Sequence, residues 1–102
     1  MVFRIDSSDS FLDDLNRAFN YISKELCNHQ AAKELCDKID LALSLIEKFP
    51  YSCPIVPNAF IPRKDLRRKV INNYSLFYEV DEKNNKTVVV LRLILSRRNP
   101  RA

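Results

Sequence analysis

The stretch from Leu66 to Arg98, LRRKVINNYSLFYEVDEKNNKTVVVLRLILSRR, leaves this chain few folds to choose from, because strand patterns and clustered arginines coincide there and nowhere else. Leu66 to Ile71 alternates basic and apolar residues, Ser75 to Val80 mixes aromatic and β-branched ones, and Thr87 to Leu95 is almost continuously apolar. These are the signals of three consecutive antiparallel strands, not of amphipathic helices. Successive side chains of an extended chain face opposite ways, which predicts Val89, Leu91, Leu93 and Leu95 on one face of the last strand and Val88, Val90, Arg92 and Ile94 on the other. A guanidinium cannot lose its proton and is costly to bury unpaired. The Arg92 face is therefore expected to stay open to water or to a charged partner, and the other face to be core.

The turns of this meander must be made without glycine, since the chain contains none. Asparagine tolerates the left-handed region best after glycine, so Asn72-Asn73 and Asn84-Asn85 are expected to close the two hairpins.

Upstream, Val2 to Asp6 alternates briefly and reads as a further strand. Ser7, Ser8, Asp9 and Ser10 supply candidate N-caps, with Ser10 to Asp13 resembling a capping box in which Asp replaces Glu. Phe11, Leu15, Ala18, Phe19, Ile22 and Leu26 then recur at helical spacing, and Asp13 and Asp14 suit the positive N-terminus of that helix. The pattern breaks near Cys27 to Gln30, where Asn28 can cap a second helix. Its stripe is Ala32, Leu35, Ile39, Ala42, Leu43, Ile46 and Phe49, and Pro50 stops it. Two amphipathic helices joined by a few residues are expected to form an antiparallel hairpin that covers a sheet. Tyr51 to Pro62 holds Pro54, Pro57 and Pro62 and reads as an ordered loop, with packing roles for Ile55, Val56, Phe60 and Ile61. The expected class is α+β, in the order β-α-α-β-β-β, with the helical hairpin on one face of a small, mainly antiparallel sheet.

A length of 102 residues suits a single domain, residues 1–102, able to bury one core without metal or disulfide staples. No apolar run reaches the length of a membrane span, and the start MVFRIDSSDS lacks the layout of a signal peptide, so a cytoplasmic protein is expected. Cys27, Cys36 and Cys53 are an odd number without CxxC spacing, which argues for free thiols. Together with His29 they match no zinc-finger spacing, and neither a metal nor a cofactor is expected.

The net charge of +4 hides an asymmetry. Residues 1–62 carry 6 Lys/Arg against 9 Asp/Glu, a net −3, whereas residues 63–102 carry 11 against 4, a net +7. The basic charge belongs to the sheet and tail. An anionic partner on that side, either nucleic acid or an acidic protein segment, is the functional reading; a solvated basic face is the plain one.

Several residues of this chain, taken in order, resemble the RelE/ParE toxins of bacterial toxin-antitoxin pairs. They are the Ala31-Ala32 step, Ile46 with Phe49-Pro50 at the end of the second helix, and Leu66-Arg67-Arg68-x-Val70 followed by Asn73-Tyr74-x-x-Phe77-Tyr78-x-Val80. Val88, Val90, Arg92 and Arg97-Arg98 complete the set, and the likeness spans nearly the whole chain. The resemblance implies a small cytoplasmic toxin, of the kind tied to plasmid stabilisation, neutralised by a cognate acidic antitoxin whose partly disordered arm masks the basic surface. It further implies one of two targets. ParE-like members inhibit DNA gyrase by binding it; RelE-like members cleave mRNA on the ribosome. No small-molecule substrate and no membrane partner is implied.

RNA cleavage needs a base for the ribose 2′-OH, an acid for the leaving oxygen and cations for the charge that develops. Arg67, Arg68, Arg92, Arg97 and Arg98 supply cations for either target. The terminal aromatic or histidine residues of RNA-cleaving branches have no counterpart after Arg101-Ala102, and His29 lies between the helices. Tyr74, Tyr78 and Glu79 are the remaining proton carriers, although the tyrosines are more often packing residues and Glu79 a cross-strand charge partner. The expectation is a ParE-like toxin that binds gyrase through its arginines. A RelE-like endonuclease using those arginines with Tyr74 and Tyr78 is the alternative. A basic nucleic-acid-binding module, with the two tyrosines as stacking platforms, is the third reading.

Overall fold

Three strands of the sheet form where the sequence places them. The computed structural model describes residues 3–57, 65–83 and 86–96. Strand β1 is Arg4–Ser7 and helix α1 is Asp9–Asn20, which runs on into a π-helical turn over Tyr21–Glu25. Helix α2 is His29–Lys48, and strands β2, β3 and β4 are Leu66–Ile71, Tyr74–Asp81 and Thr87–Leu95. The sheet order is β1-β4-β3-β2, antiparallel except that β1 lies parallel to β4. Phe11, Leu35, Ile39, Ala42 and Ile46 of the helices meet Leu76, Tyr78, Val80, Val88, Val90 and Leu93 of the sheet in one buried cluster.

Helix α1 starts two residues earlier than the Ser10 box suggested. Its cap is Ser8, whose hydroxyl accepts the Phe11 N–H at 3.0 Å while donating to the Leu91 carbonyl at 2.9 Å. One side chain thus caps a helix and fastens it to β4. The predicted α1 stripe holds at Phe11, Leu15, Ala18 and Ile22, which are buried in or packed against the core, and fails at Phe19 and Leu26, which are exposed, while Ser23 is buried. Beyond Asn20 the π turn shifts the pattern: Leu26 N–H bonds the Tyr21 carbonyl five residues back, which rotates the side chains after it, Leu26 among them, off the stripe. Cys27, at φ 50°, ends this helix in the left-handed position that glycine usually fills, and the Asn28 side chain then caps α2 through the Ala31 N–H. On α2 the stripe is buried from Ala32 to Ile46, while Phe49 is exposed beyond its last turn.

The faces of β4 depart from strict alternation. Val88 and Val90 point into the core, and so does Leu93, which no single period-two pattern allows. Tyr78 pairs with Val90 and Phe77 with Arg92, so Leu91 is an extra residue, a β-bulge that exchanges the faces of the strand midway. The predicted face assignment is inverted before the bulge and holds after it at Arg92, Leu93 and Ile94, whereas Leu95, expected in the core, is 44% exposed. The face away from the helices is mixed: Arg68 and Val70 are exposed there beside half-buried Phe77, while Ser75 is buried with its hydroxyl 2.9 Å from that of Ser96.

In the first hairpin the left-handed residue is Asn72 (φ 54°), and just before β4 it is Lys86 (φ 51°). The Asn84-Asn85 turn, Phe60, Ile61 and Pro62 of the loop, and the Arg97-Arg98 tail lie outside the described residues. Cys27, Cys36 and Cys53 are free thiols, and among the described residues no group of three His, Cys, Asp or Glu side chains converges. None of the described helices is long and apolar enough to cross a membrane.

Candidate functional site

The parallel pairing of β1 with β4 stops at Ser7 opposite Val90, and the Ser8 N–H takes the Val90 carbonyl as α1 begins. Beyond that point the edge of β4 has no neighbouring strand among the described residues. Asp14 of α1 substitutes for one: its Oδ2 accepts the Leu93 N–H at 3.0 Å. The same carboxylate takes a bidentate pair from Arg92, Nε to Oδ2 at 2.6 Å and Nη2 to Oδ1 at 3.1 Å. Arg17 approaches Oδ1 at 3.6 Å. The bulge at Leu91 makes this convergence possible, since Arg92 and Leu93 then follow an extra residue that resets the strand.

These groups rim a cleft of about 330 Å³ between α1 and the end of β4, floored by Ala18 and Leu93 and flanked by Tyr21 and Tyr74. The Asp14 side chain is 6% exposed and that of Arg92 50%, so the acid is structural and buried while the guanidinium still faces solvent. The Arg92 hydrogen bond, aided by the Leu93 N–H and by both arginine charges, outweighs burial and holds the Asp14 carboxyl below its usual range. The same bond raises Arg92. Burial raises the Tyr74 phenol, with a smaller contribution from Tyr21.

The other predicted residues are distributed differently. Arg67 pairs across the sheet with Tyr78, on the helix side, and its side chain is 12% exposed. It binds the Asp65 carboxylate, donates to the carbonyls of Cys53 at 2.6 Å and Tyr51 at 3.1 Å, and lies over the Tyr51 ring. That set fastens the segment after α2 to β2. Tyr78 is fully buried and donates to the Pro50 carbonyl at 2.8 Å; burial pushes its phenol well above the ordinary value. Tyr51, hydrogen-bonded to Glu82 at 2.6 Å, is pushed up to about 12. Arg68 is exposed on the open face, and His29 opens α2 at the surface and does not line this cleft. Thus Arg92 and Tyr74 come together at one cleft, while Arg67 and Tyr78 sit in packing positions.

Sequence reasoning assigned Asp14 to the helix dipole and passed over Tyr21 and Arg17. The signal for Asp14 was available: it lies three residues after Phe11 and four before Ala18, on the buried stripe, where a carboxylate requires a partner.

The family described as ParE toxin of type II toxin-antitoxin system, parDE, matches residues 5–100. No curated protein sequence matches significantly. Among solved structures, a chain of the chromosomal ParDE system of P. aeruginosa superposes with a TM-score of 0.73 at 13% identity, over 94% of this chain and 98% of that one. A chain of the RelBE2 toxin-antitoxin complex of Mycobacterium tuberculosis gives 0.61 at 14% identity, covering 93% and 99%. One from the archaeal RelE-RelB complex of Pyrococcus horikoshii gives 0.62 at 17% identity, covering 97% and 100%. At these identities the likeness is one of fold.

Proposed function

The chain belongs to the ParE toxin family of type II toxin-antitoxin systems, and from that premise we propose that it arrests growth by binding its target, DNA gyrase, and is neutralised by an acidic antitoxin. The observation that carries this reading is the state of the phenols. A general base for the ribose 2′-OH works best with a pKa near the working pH. Tyr78 is locked in the core, Tyr51 is held protonated by Glu82, and burial raises Tyr74. Arginine, which stays charged, stabilises negative charge but moves protons poorly.

Arg92 and Arg68, together with Arg97 and Arg98, are the cations assigned to the target, while Arg67 serves the loop. A second reading, ribosome-dependent mRNA cleavage, is favoured by Tyr74 and Arg92 sharing the cleft with Tyr21 and Arg17. Two assays on the purified protein separate them. Gyrase-catalysed supercoiling should be inhibited, and mRNA on translating ribosomes should remain intact. Cleaved mRNA with unimpaired supercoiling would reverse the assignment.

A further inference from the structure

The cleft between α1 and the end of β4 holds polar groups that the fold does not use up. Tyr74 lines it and is 8% exposed, and its hydroxyl takes no hydrogen-bond partner among the described residues. A buried phenol ordinarily finds one. Since burial favours the neutral phenol, the hydroxyl keeps its proton and can donate. At the other end, Arg92 gives two of the five N–H donors of a guanidinium to Asp14, which leaves three without a partner among the described residues. Arg17 only approaches Asp14, at 3.6 Å, and its side chain is 76% exposed. Two guanidiniums against one carboxylate give the charged groups lining the cleft a net charge of +1. Between the two ends the lining is apolar, with Ala18 and Leu93 as the floor and the rings of Tyr21 and Tyr74 at the flanks.

We propose that this cleft binds a small aromatic monocarboxylate, with its carboxylate on Arg92 and Arg17, its ring between Tyr21 and Tyr74, and a polar ring substituent on the Tyr74 hydroxyl. The charge decides the head group. A single net positive charge matches a monoanion, and a planar carboxylate accepts paired N–H bonds from a guanidinium fork. The flanks decide the body, because a flat ring covers phenol faces that a thin polar chain leaves wet. Length agrees as well. Tyr74 pairs with Leu95, three residues beyond Arg92 on β4, about 10 Å at the rise of a strand, which is the span of one substituted ring with a hydrogen bond at each end. A volume of about 330 Å³ lies at the small end of ligand pockets, so one such molecule fills it. Binding does not depend on which target the toxin has. Only its consequence rests on the proposed function, since a ligand on the remaining donors of Arg92 competes with the target assigned to them.

The test titrates the purified full chain with para-hydroxybenzoate, para-hydroxybenzamide, the saturated-ring analogue of the benzoate, and AMP, following backbone amide shifts by NMR. The benzoate should saturate with a Kd of about 1 mM or tighter, as suits so small a ligand, and the shifts should centre on Ala18, Tyr21 and Leu93. The amide keeps the ring and loses the charge, and the saturated analogue does the reverse; each should bind about tenfold more weakly. Tyr74→Phe, which loses only the hydroxyl, should weaken the benzoate about fivefold. Arg17→Gln, on the exposed rim, should weaken it about threefold. Thermal melts establish that both variants are folded, and the Arg17 variant decides alone if Tyr74→Phe is not. No saturation by about 10 mM, equal affinity for benzoate and amide, or folded variants that bind like the wild type overturn the site. Tighter binding of AMP at the same residues overturns the assigned ligand class in favour of a nucleotide. None of these outcomes bears on growth arrest, so failure here leaves the proposed function standing.

Discussion

Asp14 carries more of this structure than its place in the sequence announces. It closes the open edge of β4 through Leu93, fixes Arg92 bidentately and is itself 6% exposed. Asp14→Asn removes the charge but retains an acceptor for the Leu93 N–H. It should therefore cost about 1–3 kcal/mol, the value of charge-assisted hydrogen bonds with a partly solvated partner. Because the carboxyl is held below its ordinary 3.8, its contribution is fully present above that value and is lost as the pH falls through the lowered one. Urea midpoints measured from about pH 5 to about pH 2 should converge for wild type and variant; a constant gap would contradict the ion pair. At the turns, the absence of glycine was legible as a demand on asparagine; among the described residues Asn72 meets it in the first hairpin and Lys86 takes up the left-handed position before β4, while Asn84 and Asn85 lie outside them. Lys86→Gly should stabilise by up to about 1 kcal/mol and Asn72→Val should destabilise by more than about 1 kcal/mol, read from chemical denaturation. Equal stabilities of Asn72→Gly and Asn72→Val would refute the left-handed assignment.

Among the elements, what the sequence displays is periodicity, and periodicity is reliable until a single residue is inserted. Strand β2 runs from Leu66 to Ile71 as its alternation indicates, and the α2 stripe is buried from Ala32 to Ile46. Both misread faces follow from insertions: the π turn after Asn20 and the bulge at Leu91. Each satisfies a tertiary need, since the first redirects the chain toward α2 and the second brings Arg92 and Leu93 to Asp14. Neither can be read from a local pattern. Ser8 connects these two levels, capping α1 and bonding the carbonyl of the bulged residue itself. Ser8→Ala loses both bonds and should destabilise by about 1–3 kcal/mol, at or above the range of a surface cap alone. A loss of only a few tenths, measured by thermal or urea unfolding, would show that the Leu91 carbonyl is satisfied some other way.

Across the whole molecule, the sequence showed a basic sheet opposed by acidic helices, yet not the strand order. The parallel pairing of β1 with β4 joins the first strand of the chain to its last, a contact that no local window contains. The arginines divide accordingly. Arg67 became structural because its position in β2 pairs with Tyr78 on the helix side, whereas Arg68, one residue on, faces the open side. This division sharpens the test of a binding toxin. Arg92→Glu would place a second carboxylate against Asp14 and confuse loss of function with loss of fold, so Arg92→Gln and Arg68→Glu are the informative variants. Tyr74→Phe and Tyr78→Phe keep the ring and remove only the hydroxyl. The latter deprives the Pro50 carbonyl of its donor and should cost about 1–3 kcal/mol of stability. If toxicity comes from binding, growth arrest on induced expression should be lost in the two arginine variants and retained in both tyrosine variants, with thermal melts confirming that all four are folded. Raising salt should weaken antitoxin binding moderately, since apolar burial persists when surface charges are screened. Loss of toxicity in a folded Tyr74→Phe, accompanied by mRNA cleavage in the wild type, would transfer the chain to the endonucleases and make the cleft at Arg92 its active site.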